Sequence, residues 1–234
     1  MGADETLLQF DGVDDEADCF QIIGQYSGNQ KSIDSNIGKG NQWLYTNDGT
    51  SGIVVGDWIH FREPGFDDYF PGEDSWNGQI SQVEEVNDYN IKIKDEASKD
   101  YSTSNNMWVR EFNPIYNIGF ENFKIERTNT TQGHGVTFRF DQAVNCWIRG
   151  VESYMCTGYH VAVSRSSHLE ISGCYIHHAT SYSSDDGFGY GVVLAHSSTN
   201  CLIENNIFRK TRHAMLVGTG VNCNVGSSHI CVGD

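Results

Sequence analysis

The stretch Asn200-Cys-Leu-Ile-Glu-Asn-Asn-Ile-Phe208 decides the fold, because its pattern of apolar positions occurs five times in the second half of the chain. The other four copies cover residues 117–125, 145–153, 168–176 and 222–230. Successive copies start 28, 23, 32 and 22 residues apart. A period in the low twenties with room for insertions is typical of a solenoid, in which each repeat packs only against its neighbours.

Each copy has the same internal order of apolar and bending positions. If its first residue is numbered zero, the apolar residues at one and three share a face of a strand, and so do those at six and eight. The bend between the two strands falls at position five, which is Asn122, Gly150, Gly173, Asn205 or Ser227. Asn and Gly tolerate a positive φ angle, so the chain can turn sharply there.

A third apolar strand follows in four copies, over residues 136–138, 160–163, 191–194 and 214–217. Three short strands per coil predict an all-β solenoid, a right-handed parallel β-helix with one coil per copy. The alternative is a β-sandwich of short strands, which gives no reason for residue types to repeat in register.

The length of 234 residues suits one domain, or one domain with a cap. No copy of the repeat precedes residue 112, so we predict an irregular β-rich N-terminal cap with the first coils over 1–112, and the parallel β-helix over 113–234. In the cap, residues 52–61 are predicted as two strands around a Gly-Asp turn, and 79–83 and 90–93 as two more. The last repeat has no polar closing element, so we expect further chain or a protein partner to cover the open C-terminal coil.

Charge and hydropathy exclude several classes of partner. The formal charge of −16 disfavours nucleic acid, since the net field repels a polyanion. No apolar run approaches the ~18 residues needed to cross a bilayer, so we expect no membrane insertion. The first five residues do not resemble a signal peptide, so the leader of an exported protein is not in this chain.

The acidic groups at 11–18 and 67–74 suit Ca²⁺, although no D-x-D-x-D-G loop is present. Ca²⁺ is thus the one cofactor that the sequence suggests, and no metal-binding residues are assigned.

The seven cysteines follow the repeat rather than a disulfide framework. Cys146, Cys201 and Cys223 occupy the inward position one, and Cys174 occupies the inward position six. Equivalent residues of adjacent coils lie ~4.8 Å apart, a separation that permits a Cys201–Cys223 bridge. Their inward positions favour stacked free thiols instead, because Cys behaves there as a small hydrophobe.

Four stretches carry a resemblance to a known superfamily; they are Gly189-Tyr-Gly-Val192, 200–208, Arg212-His-Ala-Met-Leu216 and 222–225. Together they resemble the secreted right-handed β-helix proteins of the pectate-lyase-like superfamily, and the poorly characterised bacterial members most closely. The resemblance covers roughly residues 52–225. It implies a secreted or cell-surface location and polysaccharide as the partner. In that superfamily the fold carries polysaccharide lyases, glycoside hydrolases, phage tailspikes and adhesins, so fold alone does not decide the function.

The chain departs from the superfamily's catalytic patterns. Pectin hydrolases of this fold have an Asn-x-Asp, Asp-Asp, Gly-His-Gly and Arg-x-Lys series on successive coils. Here Asp185-Asp186 and Gly133-His134-Gly135 occur in inverted order, and the other two members are missing. The Gly-His-Gly is better explained as a bend, and the Ca²⁺ cluster and Arg base of pectate lyases have no counterpart.

The longest repeat has ten residues more than the shortest, and this excess falls within residues 177–190. The candidate site residues lie in and beside that stretch. Residues just past position eight leave each coil on one side, so we expect a column of Arg127, Tyr154, His177 with His178, and Arg209 with Lys210. The candidate catalytic residues are Asp185, Asp186, His178, Arg212 and His213. The candidate substrate-binding residues are Tyr154, His177, Tyr190, Arg209 and Lys210.

This set of side chains suits two reactions on polysaccharides. A lyase needs a base for proton abstraction next to a uronic acid and cations that neutralise the sugar carboxylate. A hydrolase needs two carboxylates as acid and base, for which Asp185 and Asp186 are the candidates. The simpler explanation for Asp185-Asp186-Gly187 is a solvated turn, and Arg212 and His213 can bond loop carbonyls.

The sequence therefore predicts an extracellular carbohydrate-active protein, either a polysaccharide lyase or a glycoside hydrolase on a surface or matrix polysaccharide. Two alternatives stay open. One is a non-catalytic cell-surface adhesin or polysaccharide-binding module. The other is a structural component of a larger surface or secretion assembly, which the open C-terminal coil favours.

Overall fold

The computed structural model of the chain is built almost wholly of short strands, and it describes residues 6–11, 16–64, 77–128, 133–180, 188–218, 221 and 224–232. The strands are numbered β1 to β25 in chain order. Within these ranges the helical element is one 3₁₀ turn, Thr103–Asn105, and no helix is long and apolar enough to cross a membrane.

Three parallel sheets form the walls of a β-helix. Sheet A contains β1 (Leu7–Phe10), β12 (Lys124–Arg127), β16 (Glu152–Cys156), β19 (Tyr175–Ala179), β22 (Ile207–Arg209) and β25 (Ile230–Val232). Sheet B contains β2 (Phe20–Ile23), β13 (Val136–Asp141), β17 (Tyr159–Ser164), β20 (Tyr190–Ala195) and β23 (His213–Val217). Sheet C contains β11 (Gly119–Glu121), β15 (Trp147–Arg149), β18 (Glu170–Ser172), β21 (Leu202–Glu204) and β24 (Val225–Ser227). A short fourth wall pairs β10 (Ile115–Tyr116) with β14 (Ala143–Val144).

The first four copies of the repeated phrase stack in register, which confirms the predicted parallel β-helix. Ile148 pairs with Ile171, and Ile171 pairs with Ile203, at the same position of three successive copies. All three side chains are buried in one core that runs along the coils. The third strands are also confirmed, since β13, β17, β20 and β23 contain the predicted apolar segments.

The bends occur at the predicted position in four copies and one residue later in the fifth. Asn122, Gly150, Gly173 and Asn205 have φ angles of 56°, 60°, 62° and 55°. In the last copy the positive φ of 55° belongs to Ser228. The predicted bend at Ser227 is therefore wrong.

The last copy is displaced by one residue because the register pairs Leu202 with Val225. A shift of one residue moves every side chain of a strand to the other face. Val225 and Ile230 are accordingly 55% and 59% exposed, instead of pointing inward. Their exposure leaves apolar surface on the C-terminal coil, and its cover by further chain or a partner stays a prediction.

Buried cysteines and amide side chains line the inside of the coils. Cys146, Cys174 and Cys201 are buried free thiols, as predicted, and burial raises the pKa of Cys201 to about 12. Asn206 is fully buried; its Oδ1 accepts from Cys174 N at 2.9 Å and its Nδ2 donates to Ile171 O at 2.9 Å.

The observed register removes the basis for a disulfide bridge between Cys201 and Cys223. The residue next to Cys201 in the adjacent coil is Asn224, whose Oδ1 accepts from Cys201 N at 2.7 Å. Cys223 itself lies outside the described residues.

A seven-stranded antiparallel sheet is inserted between β2 and β10, and we call it the antiparallel subdomain. Its strands are β3 (Gln25–Tyr26), β4 (Lys31–Ser32), β5 (Trp43–Tyr45), β6 (Trp58–Glu63), β7 (Asn77–Val86), β8 (Asn90–Ile93) and β9 (Trp108–Asn113). The predicted strands 79–83 and 90–93 are confirmed as parts of β7 and β8. The predicted strand over 52–56 is wrong, because Gly52 and Gly56 have φ angles of 95° and 97° and form turns.

The first coil of the β-helix comes from the N-terminal segment. β1 pairs in parallel with β12, and β2 pairs in parallel with β13, so both belong to the walls of the β-helix. The division of the chain near residue 112 stays a prediction.

The subdomain uses the two faces of β6 differently. Ile59 and Phe61 are buried in the subdomain's own apolar core. Trp58 belongs to a small cluster with Val144 of the β-helix. His60, on the same face as Trp58, is fully buried and its Nδ1 lies 2.7 Å from the Tyr26 hydroxyl.

Two fully buried histidines make the unfolding free energy depend on pH. Burial lowers the pKa of both His60 and His160 from 6.5 to about 3. The unfolded chain therefore binds protons that the folded chain does not between pH 6.5 and 3. By linkage each histidine destabilises the fold by about 1.4 kcal/mol per pH unit as the pH falls through that window.

We expect His160→Gln to reduce the pH dependence of the unfolding free energy by about one proton, or about 1.4 kcal/mol per pH unit. Gln preserves a polar group that can reach Ser153 Oγ, which lies 2.7 Å from His160 Nδ1. Urea denaturation between pH 6 and 4 measures the slope. His134→Gln, at an exposed position, is the matched control, and equal slopes in both variants would contradict the assignment.

Candidate functional site

The structure aligns several predicted site residues on the outer face of sheet A. Tyr154 pairs with His177, and His177 pairs with Arg209, so these three form one column across successive coils. Arg127 does not belong to it, because the register pairs Glu126 with Tyr154. The Arg127 side chain is instead buried and donates to Ala17 O.

A second column runs beside the first, two residues earlier on each strand. It contains Lys124, Glu152 and Tyr175, which occupy position seven of their copies. Six side chains from the two columns and the following bend form a group that we call the Tyr–His patch. It consists of Lys124, Glu152, Tyr154, Tyr175, His177 and His178.

His177 is the centre of the patch, and aromatic rings cover it. Its ring stacks on Tyr175 at 3.9 Å between centroids with 8° between the planes. Tyr154 lies 5.0 Å away on the adjacent coil, and His178 contacts it edge-on at 4.9 Å. Only 8% of the His177 side chain is exposed, whereas the two tyrosines and His178 are partly exposed.

A chain of short polar contacts runs through the same residues. Lys124 Nζ lies 2.8 Å and His177 Nε2 lies 3.1 Å from Glu152 Oε1. His177 Nδ1 lies 2.7 Å from His178 Nδ1. Because the carboxylate only accepts, His177 carries its proton on Nε2, and its Nδ1 then accepts from His178 Nδ1–H.

Burial and charge set the protonation states of this chain. Burial alone would raise the pKa of the Glu152 carboxyl, but the hydrogen bonds from Lys124 and His177 outweigh it, and the pKa is lower than usual. The pKa of His177 is lowered, chiefly by burial, although Glu152 opposes the shift. At neutral pH Glu152 is therefore ionised and His177 is neutral.

Three further candidates lie on strands of sheet B or directly before one, namely Tyr190, Arg212 and His213. Tyr190 stacks between Tyr159 at 5.4 Å and His213 at 5.2 Å. The Arg212 guanidinium lies 5.4 Å from the Tyr190 ring centroid. Since neighbouring rings cover both faces of Tyr190 and the residue is buried, it offers a ligand no stacking surface.

The structure thus divides the predicted site into two groups. Tyr154, His177 and His178 meet in the Tyr–His patch, and Arg209 extends its column. Lys210 occupies the bend that follows, with a φ angle of 50°. Asp185 and Asp186 lie outside the described residues, in the connection from β19 to β20. All the predicted roles stay predictions.

Sequence reasoning missed Lys124, Glu152 and Tyr175. The same alternation that places positions six and eight inside places seven and nine outside, on neighbouring columns. Counting outward positions along the whole strand, and not only past its end, would have found them.

No group of three or more metal-ligating side chains occurs in the described parts of the chain. The acidic residues of the 67–74 run lie outside those parts. The suggestion of Ca²⁺ therefore stays a prediction.

Comparisons with known proteins agree with this architecture. The family model for the right-handed β-helix region matches residues 71–232. No curated protein matches the chain in sequence.

Several solved structures share the fold. The Gp54 tailspike of Acinetobacter baumannii bacteriophage AP22, in complex with A. baumannii capsular saccharide, is 20% identical with a TM-score of 0.68, over 96% of this chain and 36% of the tailspike. The tailspike gp61 of Pseudomonas phage phi297 is 13% identical with a TM-score of 0.63, over 96% and 37%. The tailspike gp49 of Pseudomonas phage LKA1 is also 13% identical, with a TM-score of 0.63 over 97% and 37%. The chain therefore spans little more than a third of the length of these tailspikes.

The proton positions in the Tyr–His patch can be tested directly. We expect ¹⁵N NMR of the histidine rings to show His177 neutral at pH 7, with its proton on Nε2 and a pKa below 6.5. Glu152→Gln should lower that pKa further, because it removes the charge that opposes the effect of burial. Glu204→Gln, on sheet C, should leave it unchanged. A higher His177 pKa in Glu152→Gln would contradict the proton positions.

Proposed function

The chain belongs to the right-handed β-helix family, and we propose that it is the carbohydrate-active part of an extracellular or cell-surface protein. Its ligand is a surface or matrix polysaccharide, which it binds through the Tyr–His patch. The observation that carries the proposal is the group of partly exposed aromatic rings held on a rigid sheet beside an ion pair. The AP22 tailspike of similar fold, which was solved with a capsular saccharide, adds support.

The rings of the patch suit the apolar faces of sugars. Tyr154 and Tyr175 lie on adjacent coils, and each is fixed by contact with His177. Lys124 Nζ lies over the Tyr154 ring, 5.1 Å from its centroid, so a cation lies against one face of Tyr154. A ligand that stacks on such preorganised rings orders few protein groups on binding, which favours affinity.

Cations around the patch favour an acidic sugar. Arg209 and Lys210 extend the column on the C-terminal side, and Lys124 lies on the N-terminal side. Although the whole chain carries a formal charge of −16, Arg209 and Lys210 give the C-terminal end of this surface two basic groups. At the N-terminal end Lys124 is paired with Glu152, and Glu126 adjoins Tyr154. A uronic acid carboxylate gains charge-assisted hydrogen bonds at the C-terminal end.

Lyase chemistry is the second candidate, and the Glu152–His177–His178 chain favours it. With protons on His177 Nε2 and His178 Nδ1, the lone pair of His178 lies on Nε2, which is the base. This nitrogen takes the proton from the carbon next to the uronic acid carboxylate. The carbon–oxygen bond to the leaving sugar then breaks, a carbon–carbon double bond forms, and the leaving oxygen takes a proton from water. Glu152 is a positioning residue in this scheme, because it acts only through His177.

We expect Tyr175→Ala to weaken binding of a galacturonic acid oligomer about tenfold, because loss of one stacked ring costs roughly 1.4 kcal/mol. Isothermal titration calorimetry measures the affinity. Tyr45→Ala, at a 40% exposed position on the antiparallel subdomain, is the control and should bind normally. Normal binding by Tyr175→Ala as well would place the sugar elsewhere.

Catalysis is tested by incubating the protein with a panel of acidic and neutral polysaccharides. We expect unsaturated products that absorb in the ultraviolet, and a loss of 10²–10⁴ in rate for His178→Ala, the usual contribution of a general base. Glu152→Gln should lower kcat with little change in KM. New reducing ends without ultraviolet absorption would indicate a hydrolase. Intact binding with neither product would leave the non-catalytic binding module as the function.

A further inference from the structure

A cleft of about 520 Å³ lies between the antiparallel subdomain and the coils of the β-helix. We propose that it is a second saccharide-binding site, which takes a sugar chain without acidic groups and prefers one that bears an amino group. The cleft shares no residue with the Tyr–His patch, so this inference goes beyond the proposed function.

One wall of the cleft is a row of residues across the antiparallel sheet. Phe112 pairs with Trp58, and Trp58 pairs with Gln82. Lys94 N donates to Gln82 O at 2.9 Å, which continues the row at the edge. The backbone pairing fixes the spacing of these side chains, so this wall is preformed.

The other wall comes from the start of two repeats. Asn145 and His168 both occupy position zero and have φ angles of 53° and 57°, so successive coils present them side by side. Tyr116 stands beside them on β10, and its side chain is 61% exposed. The His168 and Trp58 rings meet edge to face at 6.2 Å, where the two walls approach.

Two acidic residues line this space, and each has one carboxylate oxygen in a hydrogen bond. Asp57 Oδ2 accepts from Val54 N at 2.8 Å, and Asp95 Oδ2 accepts from Ser81 Oγ at 2.9 Å. Within the described part of the chain the second oxygen of each has no hydrogen-bond partner. These oxygens are acceptors for the hydroxyl or ammonium groups of a ligand.

The chemistry of the lining selects the class of ligand. An exposed Tyr116 ring and a half-buried Trp58 ring suit the apolar faces of sugars, and the amides of Gln82 and Asn145 suit their hydroxyls. The two carboxylates of Asp57 and Asp95 outnumber the ammonium group of Lys94 in the lining, so the cleft repels a uronic acid and attracts an amino group. The cleft therefore has the opposite charge preference to the Tyr–His patch.

The test uses the full chain and three tetrasaccharides, of glucosamine, N-acetylglucosamine and galacturonic acid, in calorimetric titrations at 150 mM NaCl. We expect the glucosamine tetramer to bind most tightly, with Tyr116→Ala and Asp57→Asn each weakening it at least tenfold. Tyr89→Ala, at 60% exposure, and Asp88→Asn are the matched controls on the same subdomain and should bind as the unaltered chain does. Asn at residue 57 retains an oxygen acceptor for Val54 N, so the local turn is preserved.

The outcomes separate this site from the Tyr–His patch. Tyr175→Ala should leave glucosamine binding unchanged, and Tyr116→Ala should leave galacturonic acid binding unchanged. Full glucosamine affinity in both Tyr116→Ala and Asp57→Asn would overturn the cleft site without touching the patch. No measurable binding of either uncharged or amino-bearing tetramer to the unaltered chain would overturn it as well.

Discussion

In-register parallel pairing between successive coils is the constraint on which the rest of the structure depends. Every inward side chain lies against its equivalents from the coils before and after, so a coil is stable only if its apolar positions match theirs. Where an inward residue is polar, its side chain must form hydrogen bonds inside the coil. Asn206 shows how this is met, because its amide bonds backbone groups of Cys174 and Ile171 on the preceding coil.

The same pairing builds the candidate site out of residues far apart in sequence. Glu152 and His177 are 25 residues apart, yet adjacent coils bring their side chains within 3.1 Å. Neither residue has a catalytic motif around it. The patch exists because outward positions seven and nine of three coils form two neighbouring columns, and the strand ladder holds those columns at ~4.8 Å spacing.

The sequence determined the fold well because the constraint itself repeats. Positive φ at Asn122 and Gly150 and burial of Ile148 follow from residue types that recur in register. Prediction failed where the type of a residue did not match the direction in which its side chain points. Val225 looked inward because it is apolar, but a shift of one residue exposes it. Arg127 looked outward because it is charged, yet its even spacing from Ile125 points it inside. β1 and β2 were not predicted, because they carry no copy of the phrase and are defined only by their pairing with β12 and β13.

The inserted subdomain explains why a second site can exist on a fold whose interior is filled. The two surfaces meet where Ile80 N donates to Thr199 Oγ1 at 3.2 Å and where the Trp58 and His168 rings contact each other at 6.2 Å. The cleft beside these contacts has walls that are fixed by separate strand ladders. Each ladder fixes its own side chains. The lining of the cleft can therefore carry a different charge from the Tyr–His patch, while the core of the parallel β-helix is unchanged.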